Sequence, residues 1–376
     1  MKQNASTANF ILSHYESPST YPESFSRVVH NMQLQRLPTR VVFPAGLALL
    51  TMTLIVSMTV GPMAISVKDS LHALLPWQTE LPTHISMVIQ QIRLPRTLLG
   101  IAVGAILALC GAVMQGLFRN PLADPGIIGV SGGASLGAAV GIVLFAPLAA
   151  LSPYLLTLGT VPVLAFLGGT ATTYLVYTLG TDKNGTSVTV MLLAGVAIGA
   201  LSGAALGLMN YYADDQALRD LSLWTLGSLA GATWPGIALA YMTLALLIVL
   251  FDRHANALNA FLLGEAEARH LGVNVQHLKR SLILLCAAGV GVAVSLTGVI
   301  GFVGLIVPHI CRMLIGPNHK TLLPLSALLG ALLLLIADML ARVVAAPSEL
   351  PVGIITALIG APFFITLLVK QKGKLS

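Results

Sequence analysis

Few side chains in this 376-residue chain can do chemistry, and those few point to charge pairing rather than bond making. Asp338 and Arg342 stand four apart inside an apolar run, a spacing that puts them on one helix face and within reach of each other. Such a pair serves either as a structural tie or as part of the outer mouth of a pathway. His309 and His319 flank the end of another apolar run and read as helix-end or loop residues. His72 and His84 fall in a polar stretch and read as solvated. Cys110, Cys286 and Cys311 are scattered through apolar sequence. An odd, unpatterned set supports neither a disulfide framework nor a metal site, so they read as small buried hydrophobes. There is no GxxxxGKS/T loop for nucleotide phosphates and no HExxH. No catalytic residue and no metal ligand is assigned, and the chain is not expected to hydrolyse ATP itself.

The elements that position these groups are membrane helices. Hydrophobic residues make up 56% of the chain and charged residues only 9%, with a mean hydropathy of +0.87. Soluble domains carry about 25% charged residues, so a soluble protein is excluded in favour of a polytopic membrane protein embedded in lipid. The fold class expected is all-α. Ten spans are placed at 41–64, 92–117, 126–146, 158–180, 190–210, 232–251, 278–298, 299–315, 322–343 and 352–370, and the stretch 221–235 reads as a short re-entrant or interfacial helix. Its Trp224 and Trp234 suit the membrane interface. Residues 1–40 are polar and lack a signal-like apolar core, and are expected to form a disordered cytoplasmic tail ahead of a membrane domain at 41–372.

Charge sets the orientation. With both termini cytoplasmic, only Lys68, Arg93, Arg96, Arg219 and Arg342 of the 20 Lys and Arg lie outside, as the excess of positive charge on the inner side requires. The net charge of +6 follows from that bias, and no nucleic-acid partner is inferred. NPLADPG, 120–126, is then a tight cytoplasmic turn, because proline stops a helix and restricts the residue before it. After it Gly129, Gly133, Gly137 and Gly141 recur every four residues, a face on which another backbone can approach closely. Gly195, Gly199, Gly203 and Gly207 repeat the device, and Gly100, Gly104 and Ala108 do so in the second span. The inner stretch 256–273, NALNAFLLGEAEARHLGV, reads as a short charged helix closed by glycine, of the kind that docks into a cleft on a soluble partner.

Six motifs occur in order: RLPR at 93–96, GAVMQGLFRNPLADPGIIGVSGGA at 111–134, LLAGVAIG at 192–199, LGEAEARHLGV at 263–273, GFVGLIVPHICR at 301–312 and ADMLARVVAAPSELPVGIITALIGAPFF at 337–364. Together they resemble the FecCD-type permeases, the membrane subunits of type II ABC importers for iron-siderophores, cobalamin and haem. The resemblance implies ten helices per subunit in the type II ABC importer fold, and a homodimer with the pathway between two copies. It also implies two ATPase subunits inside and a periplasmic binding protein outside. Residue by residue, Gly264, Glu265, Ala266, Arg269 and Gly272 fall in the segment that rests on the ATPase, and Arg93, Arg96 and Arg342 at positions that meet glutamates of the binding protein. Asn120, Pro121 and Leu122 fall in the cytoplasmic gate. Ser187, Val188 and Thr189 fall in its second element, where the sequence departs from the Ser/Thr run of the cobalamin branch.

LADPGIIGVSGGASLGA is most similar to the haem branch, so haem is the expected substrate, delivered by a periplasmic haem-binding protein across a bacterial inner membrane. No permanently bound cofactor is expected, and ATP is used by the partner subunit. A ferric siderophore or cobalamin is the alternative cargo. An ion-coupled carrier is the competing class, and it needs intramembrane acids or bases of which Asp338 is the main one on offer. An intramembrane hydrolase finds no paired catalytic residues.

Overall fold

A computed structural model describes residues 36–74, 82–145, 159–182 and 185–372. The expected tail at 1–40 therefore lies outside the described residues except for its last five. Pro38 onward forms one compact unit. In chain order its elements are α1 (Thr39–Thr59), α2 (Val67–Leu74), α3 (Thr83–Leu117), α4 (Val130–Leu144), α5 (Val161–Leu179), a two-stranded ribbon β1 (Thr181–Asp182) and β2 (Gly185–Thr186), α6 (Val188–Tyr212), α7 (Asp215–Thr225), α8 (Trp234–Phe261), α9 (Glu265–His270), α10 (Val275–Thr297), α11 (Val303–Ile315), α12 (His319–Val343) and α13 (Val352–Lys372). Among the described residues seven helices are long and apolar enough to cross a membrane: α1, α3, α5, α6, α8, α10 and α12. Three shorter apolar stretches, α4, α11 and the Val352–Leu367 part of α13, fall in the remaining expected segments.

The centre is α3, whose residues from Pro95 to Leu117 are nearly all buried. Small residues make that possible. A β-carbon on Gly104 would stand 2.3 Å from the carbonyl oxygen of Gly330 in α12, and one on Gly111 2.0 Å from that of Gly304 in α11. Without a hydrophobic force between helices in lipid, contact of this intimacy and hydrogen bonds supply the attraction. The ladder after NPLADPG works the same way against α5. A β-carbon on Gly133 would meet Thr172 Oγ1 at 2.0 Å, and one on Gly137 the Leu164 carbonyl at 2.0 Å. Gly129, at φ +88°, instead caps α4 in the left-handed region. The ladder in α6 is different. Positions 199, 203 and 207 would meet nothing within 4 Å, and Leu193, Val196, Leu201 and Leu208 are exposed, so α6 lies against its neighbours on one side only.

Two expected elements shift. The short helix near Trp224 is α7, which begins earlier because Asp214 caps it through Ala217 N–H at 2.7 Å. The stretch 226–233 is not helical, and Gly227 there takes φ +73°, with its missing side chain leaving room for the Val299 carbonyl. The helix expected over 256–273 is only Glu265–His270. Residues 256–261 belong to α8 instead, because Ala255, Leu258 and Phe261 continue its buried face past Phe251.

Gly104→Ala forces α3 and α12 apart, and overpacking of this kind typically costs about 1–3 kcal/mol. Gly231→Ala, where a β-carbon meets nothing within 4 Å, is the control. Thermal unfolding of the purified protein in detergent is expected to show a lower melting temperature for the first and no change for the second. Equal melting would mean that the α3–α12 backbones are not in close contact.

Candidate functional site

The two ends of α3 carry different machinery. At its Arg96 end a buried ionic network joins three helices. Asp338, fully buried, accepts from Arg96 Nε at 2.8 Å and from Arg342 Nη2, and Arg96 Nη1 reaches Glu349 at 2.5 Å. Arg342 Nη1 donates to the Ser57 carbonyl at 3.2 Å. Arg93 donates to the carbonyls of Met58, at 2.6 Å, and Met63. The expected Asp338–Arg342 pair is therefore present and is half of a larger set. The expected docking arginines are not on the surface. Arg93, Arg96 and Arg342 are 4%, 4% and 2% exposed, and a contact with another protein would require them to leave these carboxylates and carbonyls. Of the basic residues placed on that face by sequence, Lys68 and Arg219 are the exposed ones.

At the other end three short segments meet. The first is the turn after α3. Asn120 N–H bonds the Gln115 carbonyl at 3.2 Å and Arg119 N–H that of Gly116 at 3.3 Å, with Arg119 at φ +49°. This is a left-handed C-terminal cap carried by a residue other than glycine. Asn120 Oδ1 then accepts from Leu122 N–H at 2.9 Å, and Asp124 Oδ1 from Gly126 N–H at 2.7 Å, so side chains mimic backbone turns twice in a row. Burial pushes the Asp124 carboxyl above the usual carboxylate range, and the Gly126 N–H offsets part of that. Pro121 is exposed and Leu122 half-buried.

The second segment is the ribbon leading into α6. Ser187 caps α6 by accepting from Val190 N–H at 3.4 Å, and its own N–H bonds the Gly180 carbonyl at 2.8 Å. Ser187 and Thr189 are exposed and Val188 half-buried. The third segment is α9 with its flanks. Gly264, at φ +131°, and Gly272, at φ +85°, bracket it in a region open to glycine and costly for other residues. Ala266 and Arg269 are exposed, and Arg269 lies 3.9 Å from Glu265 one turn back. The structure thus places the three expected clusters at one end. Asn120–Leu122 and Ser187–Thr189 are held by separate hydrogen bonds. The α9 segment lies beside the first cluster, since a β-carbon on Gly264 would stand 3.9 Å from Arg119 Nη1.

Three side chains that tie separate segments together escaped the sequence pattern. Lys279, only 3% exposed, bonds Glu265 Oε1 at 2.6 Å and the Thr186 carbonyl at 3.0 Å. Gln276, one turn earlier, accepts from Thr186 N–H at 3.0 Å. Gln115 donates to the Gly304 and Leu305 carbonyls at 3.1 Å and accepts from Arg312, which crosses from α3 to α11. The inside bias of positive charge accounts for any lysine beside an inner loop; what sets this one apart in the sequence is its i, i+3 spacing from Gln276. His319 is fully buried at the start of α12 and bonds Asn259 Oδ1 through its backbone N–H at 2.8 Å and through Nδ1 at 3.0 Å. His309 packs edge-on against Phe363. Among the described residues no three His, Cys, Asp or Glu side chains gather as a metal site.

Comparison with known proteins places the chain in a family. The sequence pattern of the FecCD transport family matches residues 49–370, and the chain belongs to that family. It is 43% identical over 337 residues to the hemin transport system permease protein HmuU of Yersinia pestis, covering 90% of this chain and 98% of that protein. It is 42% identical to the cobalamin import system permease protein BtuC of Halobacterium salinarum, covering 78% of this chain and 76% of that one. It is 41% identical to the Fe(3+) dicitrate transport system permease protein FecD of Escherichia coli, covering 76% and 86%. A solved structure described as an inward-facing conformation of a metal-chelate type ABC transporter superposes with a TM-score of 0.75 at 34% identity, covering 89% of this chain and all of that one. The chain is a multi-pass membrane protein and a permease subunit of an ABC importer, a transport component rather than an enzyme.

Asp338→Asn leaves two buried guanidiniums with one carboxylate between them. Breaking a buried pair from one side costs about 3–5 kcal/mol. Glu349→Gln, at a side chain 36% exposed, is expected to cost a fraction of that. Denaturation of the two variants in detergent, compared with the parent, checks the order.

Proposed function

We propose that this chain is the permease of a haem importer of a bacterial inner membrane, working as a homodimer with two ATPase subunits and a periplasmic haem-binding protein. The observation that supports haem is the match to the hemin permease, which extends over nearly the whole of that protein at 43% identity. A second copy is the partner suited to α6. Its face at Gly199, Gly203 and Gly207 is open, and small residues spaced four apart favour a close helix–helix seam. The end carrying Asn120–Leu122, Ser187–Thr189 and α9 faces the cytoplasm, as the distribution of Lys and Arg requires. There Glu265, Ala266 and Arg269 meet the ATPase between the two hinge glycines Gly264 and Gly272, and Leu122 closes the pathway as an apolar plug on a stiff turn. At the outer end the binding protein meets the rim around Glu349, Lys68 and Arg219. Arg93, Arg96 and Arg342 support that rim from beneath. Charge pairs at such a rim steer and orient docking.

A ferric chelate or cobalamin is the second reading, favoured by identities of 41% and 42% to permeases for those cargoes. Uptake into proteoliposomes separates the two. The vesicles hold this chain with its cognate ATPase and are supplied with the binding protein, ATP and, in parallel, haem, a ferric siderophore and cobalamin. Haem uptake dependent on both ATP and binding protein is the expected result. Uptake of another cargo would overturn haem and keep the architecture. In the same assay Leu122→Ala is expected to leak cargo or to consume ATP without net uptake. Unchanged ATP-coupled uptake would remove Leu122 from the gate.

A further inference from the structure

A lysine that is almost wholly buried must find partners for its charge. Lys279 finds three, on three different elements. Its Nζ lies 2.6 Å from Glu265 Oε1 at the first residue of α9, 3.0 Å from the Thr186 carbonyl in β2, and 6.0 Å from the centre of the Phe261 ring at the last residue of α8. Gln276 stands three residues earlier on the same face of α10 and takes the Thr186 N–H at 3.0 Å. Both backbone polar groups of Thr186 are therefore gripped by α10. A side chain at position 185 would stand 2.1 Å from Gln276 Nε2, so the ribbon sits tightly under the grip. The next residue, Ser187, is the N-cap of α6. Within one protomer α6 is the least packed of the long helices, with 17% of its most apolar window buried, so few contacts inside the protomer hold it apart from those at its start. The chain of contact thus runs from Glu265 through Lys279 to Thr186 and on to the start of α6.

We propose that Lys279 is a positioning residue that ties the ATPase-facing helix α9 to the start of α6, so that displacement of one is passed to the other. This rests on the reading of α9 as the ATPase contact. Lys279 touches neither cargo nor nucleotide. It acts because the Glu265 carboxylate and the Thr186 carbonyl share one ammonium, and moving Glu265 away from a fixed ribbon would strand a buried charge. The two glycines around α9 let it move as a unit. The tie is what gives that movement a fixed destination.

The test uses the permease–ATPase complex in proteoliposomes and two readouts. The first is cargo taken up per ATP hydrolysed, measured with haem. Lys279→Met keeps the aliphatic stem and removes the charge. It is expected to lower that ratio about tenfold, the range of an ordinary coupling energy, while Lys279→Arg, which can still bridge two oxygens, retains most of it. The second readout needs no cargo. Cys110, Cys286 and Cys311 are all buried, so the exposed thiol introduced by Thr189→Cys can be followed by its rate of reaction with a charged maleimide, with and without nucleotide. With Lys279 in place, nucleotide is expected to change that rate. With Lys279→Met the nucleotide-free rate is expected to stay the same and the response to vanish. A rate raised equally in both states would show a merely loosened ribbon and overturn the proposal, as would an unchanged uptake ratio. If none of the cargoes moves but the thiol still responds to nucleotide through Lys279, the tie stands and the haem reading falls.

Discussion

Everything else in the molecule is referred to α3. A helix buried on all sides in a bundle within lipid has no water to expel, so its place is fixed by contact and by hydrogen bonds. Glycine supplies the contact. Gly104 meets Gly330 and Gly111 meets Gly304 with backbone against backbone, so α12 and α11 are pressed on α3 at distances no larger residue permits. The polar ties are placed by that packing. Arg96 and Gln115 sit near opposite ends of the buried stretch of α3, Pro95 to Leu117, and each reaches the neighbour that the glycines have brought close: Arg96 to Asp338 in α12 and Gln115 to the Gly304 carbonyl in α11. A shift of α3 by even an ångström would disturb both ends together.

The two ends are nonetheless built for different work. At the Arg96 end buried charges pair with one another and with carbonyls, and these side chains join α1, α3 and α12. Such an arrangement has one low-energy geometry, because any separation leaves a charge in an apolar setting. At the other end the parts are short and cross-linked at single points: a stiff turn, a two-stranded ribbon and a six-residue helix between two glycines of positive φ. In the coupling proposed above, the articulated end is where movement enters, and helix α6, packed on one side only within the protomer, is the element that receives it.

Much of this was legible in the sequence, and the reasons for the gaps are specific. Apolar length marked the seven helices long enough to cross a membrane, because lipid leaves the backbone no alternative to the helix. Boundaries slipped where tertiary contact overrode composition. Asp252 and Arg253 suggest an end to α8, yet Leu258 and Phe261 keep burying its face. Glycine ladders looked alike on paper. One is filled by α5 and another is open, which spacing cannot distinguish, since it describes a face and not what covers it. Asp338 and Arg342 were legible as a pair because the helix itself brings i and i+4 together. Arg96, 242 residues from Asp338, and Glu349, 253 residues from Arg96, were not legible as the rest of that network. The same limit hid Lys279, whose partners come from three elements. Charge in an inner loop has a ready general cause, and only burial reveals a particular one.

The near-equal identities to permeases for haem, cobalamin and ferric dicitrate carry a physical implication about where cargo is chosen. These cargoes differ in size, charge and metal ligation, whereas the helices, glycine contacts and turn geometry that define this fold do not need to differ for them. A conducting path must let go of what it carries, so strong recognition inside the bundle would slow release. The described residues fit that demand. The Arg96, Asp338 and Arg342 side chains are committed to one another and Lys279 to Glu265, and the open face of α6 carries Gly199, Gly203 and Gly207 beside exposed Leu193, Val196, Leu201 and Leu208. In the importer proposed above, choice of cargo falls to the binding protein that presents it, and the permease contributes through the fit of its outer rim to that protein. On this view the buried arginines matter to selection indirectly. They hold Glu349 and the loop around it in one shape, and a rim of one shape accepts one partner.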